Sequence, residues 1–348
     1  MSIRHALQVH ARNLDPGCFA AVMATGIASV DAAQHGFQPL AQALLALNLV
    51  LFAWLLALSL WRLACHPRAM WRDLCDASRG AGYLTLVAGL CVLGSQFVIV
   101  ASAPALAWAC WLVAGVIWIA LSQAFFAAMI TRRDKPEPAQ AITGGWLVVI
   151  VATEALAVLA SLLGAQDATM LFAGMALFLL GCAFYLWLGT LVMRRMVFLP
   201  LTPEGLRAPY WIVMGALAII TLAGSLLMQQ LAATAFDGVR PFITGFTLLA
   251  WAAASWWFMQ LALLWCWRHV IRRLPLRHEA DAWNIAFPVG MYTVGSFELA
   301  RALNFVPLAA LADAGVYLNL AVWGLIALGS FVHGLRSIAN ASRTGATA

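Results

Sequence analysis

The chain has 348 residues, of which 64% are hydrophobic and 10% charged, with a formal net charge of +6 and a mean hydropathy of +0.89. That balance leaves too little polar surface for a water-soluble domain of this size. The apolar runs are longer and more uniform than the roughly 10-residue alternating strands of a membrane β-barrel, so the predicted class is an all-α membrane protein.

The first 16 residues are polar and end in Asp15-Pro16. They lack the apolar stretch and small-residue cleavage pattern of a signal peptide, so the first helix is expected to be retained. Spans are then predicted at 17–35, 39–61, 80–102, 105–131, 143–164, 168–193, 209–233, 241–267, 283–304 and 309–335. Each is close to the roughly 20 residues that cross a bilayer. Ser102-Ala103-Pro104 divides one long run, because proline does not continue the helix it follows. Gly164-Ala165-Gln166-Asp167 divides the next.

Basic residues alternate between the connections. One set holds Arg62, Arg68, Arg72 and Arg79, then Arg132, Arg133 and Lys135, then Arg194, Arg195 and Arg207, then Arg268, Arg272, Arg273 and Arg277. The ends add Arg4, Arg12, Arg336 and Arg343. The opposite connections hold Asp31, Asp167, Asp237 and Asp313, with Arg240 the clear basic residue among them. By the positive-inside rule both termini are expected in the cytoplasm, which requires an even number of spans and supports ten. The basic loops recur at roughly 65–75 residues, so the chain reads as five helical hairpins in one orientation. The expected organisation is a single transmembrane domain over 1–348 with short cytoplasmic tails at about 1–16 and 336–348.

Tryptophan separates the spans. Even spans carry Trp54, Trp61, Trp108, Trp111, Trp118, Trp187, Trp251, Trp256, Trp257, Trp265, Trp267 and Trp323. Odd spans carry Trp146, Trp211 and Trp283, each near the basic end. Bulky aromatics suit lipid-facing and interfacial positions. The odd spans carry glycine instead, including Gly26, Gly89, Gly215 and Gly290. An inner ring of odd spans and an outer ring of even ones follows, with room for a narrow channel on the axis. Close helix packing explains the same glycines, and glycine alone does not separate the two readings.

The seven cysteines form no CxxC pair and lie mostly in apolar runs, so they read as small core residues. The histidines show no ligand spacing, and no metal or cofactor is expected. The basic residues sit between apolar runs, which points to membrane orientation rather than to nucleic acid. There is no HExxH and no nucleophile motif, so an enzyme is not the expectation.

Two acids fall inside spans, Glu154 in the fifth and Glu298 in the ninth. A charge at the bilayer centre costs about 2.5–3.5 kcal/mol on insertion scales, so each is a functional candidate. The structural alternative for Glu154 is a protonated or hydrogen-bonded group facing a neighbouring helix. Arg301 follows Glu298 by three residues on the same face, so a structural ion pair is the leading reading there. The ninth span also contains Phe287-Pro288, and a proline inside a helix kinks it. Eleven residues separate Phe287 from Glu298, about three turns plus roughly 20° and about 16 Å along the axis. They share a face, with Met291 and Val294 between them.

These residues resemble a known family. Phe19-Ala20-Ala21-Val22-Met23-Ala24-Thr25-Gly26-Ile27-Ala28-Ser29 is similar to the first-helix motif of the tellurite-resistance/C4-dicarboxylate transporter family, which includes TehA-like proteins and plant slow-type anion channels. Trp283-Asn284-Ile285-Ala286-Phe287-Pro288-Val289-Gly290-Met291-Tyr292-Thr293 resembles its ninth helix. The resemblance implies five helical hairpins around a central pore, a homotrimer with one pore per subunit, and a gating phenylalanine at Phe287. Phe19, Met23, Gly26, Gly89, Glu154, Gly215, Met291, Val294 and Glu298 are the expected pore-lining residues. It further implies passage of small anions, as a channel or carrier. The predominance of Arg over Lys and the compact loops point separately to the cell inner membrane of a bacterium. Glu154 departs from the neutral polar residue more usual in the family. A negative charge on the pore opposes anions, which raises the alternative of a proton-coupled transporter of a C4-dicarboxylate, sulfite or tellurite-like oxyanion using Glu154.

Overall fold

The computed structural model describes residue 12 and residues 14–164, 167–275 and 280–345. Arg4, Ala165, Gln166 and Arg277 lie outside the described residues, with most of the expected amino-terminal tail. Among the described residues every regular element is a helix. The ten long ones are α1 (Ala20–Gln34), α2 (Gln38–Cys65), α3 (Thr85–Ile99), α4 (Pro104–Thr131), α5 (Val148–Leu163), α6 (Ala168–Phe198), α7 (Ile212–Gln230), α8 (Arg240–Cys266), α9 (Trp283–Leu303) and α10 (Val306–Gly345).

Local chemistry sets their starts. Pro39, Pro104 and Pro241 occupy the first two positions of α2, α4 and α8, where the absent N–H is not missed. Ser102 takes a left-handed φ of 52° and turns the chain into α4. One tight turn precedes each of four odd helices, at Gly80–Leu84, Gly144–Leu147, Ala208–Trp211 and Ala280–Ala282. α6 contains a π-helical turn at Tyr185–Gly189.

Eight of the ten are long and apolar enough to cross a membrane. The sequence predicts ten such spans, and the other two are α1 and α9. α1 has 15 residues, about 22 Å of helix against a hydrocarbon core of roughly 30 Å. α9 has the length but carries Asn284, Glu298 and Arg301. Both lie largely inside the bundle, where Asp31 of α1 and Glu298 of α9 are buried against neighbouring helices while Arg301 at the end of α9 is exposed. α10 continues as helix to Gly345, past the end of the expected last span.

Contacts run α1 to α3, α3 to α5, α5 to α7, α7 to α9 and α9 back to α1, which closes a ring. Each even helix also packs on the odd helix before it. In the most apolar stretch, 67, 83 and 94% of residues are buried for the spans of α3, α5 and α7, against 11, 17, 39, 28 and 11% for those of α2, α4, α6, α8 and α10. The odd helices form the interior and the even ones the outside.

Side-chain hydrogen bonds tie each outer helix to the next inner one. Asn48 Nδ2 of α2 donates to Gln96 Oε1 of α3 at 2.7 Å, and Trp118 Nε1 of α4 donates to Thr153 Oγ1 of α5 at 3.0 Å. Tyr185 Oη of α6 donates to the Val213 carbonyl of α7 at 3.4 Å. Trp251 Nε1 of α8 donates to Ser296 Oγ of α9 at 3.0 Å, and Trp323 Nε1 of α10 donates to Thr25 Oγ1 of α1 at 3.1 Å. An indole N–H needs an acceptor away from water, and only the neighbouring helix supplies one. The outer tryptophans therefore divide. Trp54, Trp61, Trp187 and Trp256 are exposed as their composition predicts, whereas Trp111, Trp118, Trp251 and Trp323 turn inward as donors.

Candidate functional site

The amino-terminal ends of the five inner helices surround a vestibule of about 410 Å³. Gly17, Thr85, Val148, Ile212 and Asn284 line it, one from the start of each. Arg79, Arg195 and Arg207 add positive charge to its wall. Arg207 pairs with Asp281 at 2.9 Å, and Arg79 approaches Asp73 at 3.5 Å. Aligned helix amino-termini place partial positive charge at this end.

Farther along the inner helices lies a second, much smaller cavity of about 30 Å³. All five inner helices wall it: Ile27 from α1, Cys91 from α3, Val158 from α5, Ile219 from α7 and Met291 from α9. Its walls are apolar except near the far end, where Ser95, Gln34 and Glu298 stand. Glu298 accepts from Gln34 Nε2 at 2.7 Å, from Gln229 Nε2 at 3.1 Å and from Arg301 Nη1 at 3.1 and 3.2 Å. Donors from α1, α7 and α9 thus converge on one carboxylate.

The vestibule and the cavity share no lining residue. On α9, Asn284 lines the vestibule, and Met291, Val294 and Glu298 line the cavity. Phe287 stands between them on the same 3-4-3-4 stripe and is buried. Pro288 follows it inside α9 and leaves the Asn284 carbonyl without its helical donor.

The expected pore residues separate into two groups. Met291, Val294 and Glu298 meet on the cavity wall. The others are buried but touch different partners. The Phe19 ring packs on Phe52 of α2 with centroids 5.8 Å apart, and Met23 belongs to the apolar core. Gly26 faces Asn48 and Gln96, Gly89 faces Val22 and Phe19, and Gly215 faces Pro288. Glu154 points away from the cavity. Its carboxyl lies against Gly181 of α6, fully buried, with no hydrogen-bond partner on either oxygen among the described residues.

A profile of the SLAC1 family, described as voltage-dependent anion channel, matches residues 13–331. This chain belongs to the SLAC1 family. An uncharacterized membrane protein of Mycobacterium tuberculosis (strain ATCC 25618 / H37Rv) is 32% identical over 160 residues, 46% of this chain and 81% of that one. Two uncharacterized transporters of Methanocaldococcus jannaschii are 22 and 24% identical over 311 and 313 residues. Those matches cover 86 and 84% of this chain and 88 and 86% of theirs. With its apolar helices and these relatives, the SLAC1-family chain is a multi-pass membrane protein of a transporter and anion-channel family.

Three polar groupings of this SLAC1-family bundle escape sequence reasoning. Gln34 and Gln229 carry no signal of their own near the ends of the predicted spans 17–35 and 209–233, yet they hold Glu298. Asp31 reads as a residue of an outer connection, yet it is fully buried in α1, where it accepts from Asn319 Nδ2 at 2.6 Å and meets His35 Nδ1 at 3.1 Å. Arg195 reads as one of several orienting arginines, yet it is buried in the vestibule wall. The available signal is a polar residue at the same depth on two spans, which helical spacing alone does not pair.

Proposed function

We propose that this protein conducts small monovalent anions through the axis of its inner ring, with Phe287 as the closure between vestibule and cavity. In this reading all ten helices lie within one membrane domain as five hairpins, with α1 and α9 short or polar because protein surrounds them. Both termini are cytoplasmic, the membrane is the cell inner membrane, and three copies assemble with one pore each.

The observation that carries the reading is the cavity walled by all five inner helices, apolar along its length, whose one acid is satisfied by three donor side chains. An apolar, narrow passage favours anions that shed water readily, because it returns little of the lost hydration energy. A fully coordinated Glu298 repels them weakly. The basic vestibule raises anion concentration at one mouth. The test is flux in proteoliposomes, with nitrate, chloride, sulfate and malate compared with and without a pH gradient. Nitrate and chloride should move with net charge and without need of a pH gradient. Movement of malate alone, strictly driven by the gradient, would refute channel conduction.

One observation favours a second reading. Glu154 is a buried carboxyl with no hydrogen-bond partner among the described residues, which suits a group that gains and loses a proton during transport. It would then serve proton-coupled movement of a C4-dicarboxylate, sulfite or tellurite-like oxyanion. Glu154→Gln should abolish gradient-driven uptake while leaving exchange, and unchanged uptake in that variant removes the reading.

A further inference from the structure

We propose that Arg195 forms an anion-binding site in the vestibule, holding a small monovalent oxyanion or halide before the Phe287 closure. The place of this site in transport rests on the channel reading above; the binding itself does not.

The geometry begins with burial. Arg195 stands near the end of α6 and is 8% exposed. Its Nε donates to the Ala139 carbonyl at 2.7 Å, and its Nη1 donates to the Pro200 carbonyl at 2.9 Å and the Leu199 carbonyl at 3.4 Å. Those carbonyls fix the guanidinium plane. They consume Nε and Nη1 and leave Nη2 with no acceptor among the described residues.

The charge balance is uneven around the vestibule. Asp281 and Asp15 also line it. Asp281 is engaged by Arg207, and Asp15 Oδ1 accepts from the Gly17 N–H at 2.7 Å. Arg79 meets Asp73. Arg195 has no carboxylate within ion-pair distance among the described residues. A buried cation without a counter-charge is costly, and carbonyl dipoles offset part of that cost.

The surroundings suit an anion. The turns Gly144–Leu147 and Ala208–Trp211, which lead into α5 and α7, border the same space. The Gly145 and Tyr210 N–H groups already donate to Thr143 Oγ1 and the Arg207 carbonyl, so these turns add the positive potential of a helix start rather than free donors. Thr143, Gly145 and Tyr210 line the wall with Arg195. A planar guanidinium with one free NH₂ fits a planar oxyanion such as nitrate better than a lysine ammonium does.

The test uses the purified full-length protein, with sodium nitrate titrated against sodium gluconate at constant ionic strength. Thermal stability should rise saturably in the wild type, and Arg195→Gln should abolish the rise. In proteoliposomes, Arg195→Gln should raise the half-saturating nitrate concentration about fivefold or more, with maximal flux nearly kept. A role confined to stapling loops would lower stability and maximal flux without moving half-saturation, and that result overturns the proposal. If Arg195→Gln fails to fold, the wild type still decides. Nitrate should slow phenylglyoxal modification of Arg195, read by peptide mapping, and absence of protection overturns the site. No nitrate flux in the wild type with saturable, Arg195-dependent stabilisation would sink the channel reading and keep the site. Equal stabilisation in wild type and Arg195→Gln would do the reverse.

Discussion

Gly215 of α7 lies directly against Pro288 of α9, so close that a Cβ there would stand 2.8 Å from the proline Cγ and 3.0 Å from its Cβ. The proline ring cannot fold away as a flexible side chain would. The contact therefore fixes the α9 segment that carries Phe287 against the next inner helix. Gly215→Ala should overpack this junction and destabilise by about 1–3 kcal/mol. It should also alter anion flux. If that change acts through Phe287, combining it with Phe287→Ala should add little flux change beyond Phe287→Ala alone, as a double-mutant cycle reads.

Glu298 and Arg301 should shift flux in opposite directions. Glu298→Gln removes a negative charge from the cavity mouth and should increase monovalent anion flux. Arg301→Gln leaves the carboxylate held by Gln34 and Gln229 but less compensated, and should reduce flux. Arg301 is 59% exposed, so the stability cost of its loss should stay near about 0–1 kcal/mol. Currents in planar bilayers and denaturation midpoints measure the two effects separately. Like-signed flux changes would remove Glu298 from the conduction path.

His35 predicts a pH dependence at the acidic end of the bundle. Its hydrogen bond to the Asp31 carboxylate raises its pKa above the ordinary 6.5, with Asp313 adding to the effect and burial opposing it. A histidine whose folded pKa is raised contributes stability that is fully present below pH 6.5 and lost as pH climbs through the raised value. Melting temperature should therefore fall as pH increases above 6.5 through the raised value. His35→Gln should flatten that slope, and an unchanged slope would place the titration elsewhere.

Glu154 and Gly181 should behave as one packing unit. A methyl at position 181 collides with the Glu154 carboxyl. Gly181→Ala alone should be destabilising, and Glu154→Ala should relieve much of that loss in the double variant. Glu154→Gln keeps the shape and removes titration, so under channel conduction it should leave nitrate flux nearly unchanged. Chemical denaturation and flux on the same preparations check both outcomes.

Much of α9 is legible in the sequence because helical period alone determines which residues share a stripe. Phe287, Met291, Val294 and Glu298 follow from spacing, and three of them meet in one cavity. The same period gives the direction of Glu154 relative to its own helix but not the identity of its neighbour. α5 is buried on all sides, so no polar face marks the axis. Tryptophan and glycine composition sorts inner from outer helices, yet individual indoles turn inward where a threonine, serine or carbonyl can accept. Gln34, Gln229 and Arg195 act through partners 264, 69 and 56 residues away. Such pairings depend on how the ring closes, which no local pattern encodes.

The central claim is a conduction path along the axis closed by Phe287, and nitrate and chloride current through Phe287→Ala in planar bilayers tests it most directly. Removing the ring opens a space between vestibule and cavity, and the anion current should rise at least several-fold over wild type at equal protein amounts, while Phe287→Leu gives a smaller rise. A folded Phe287→Ala protein with wild-type current would contradict the account.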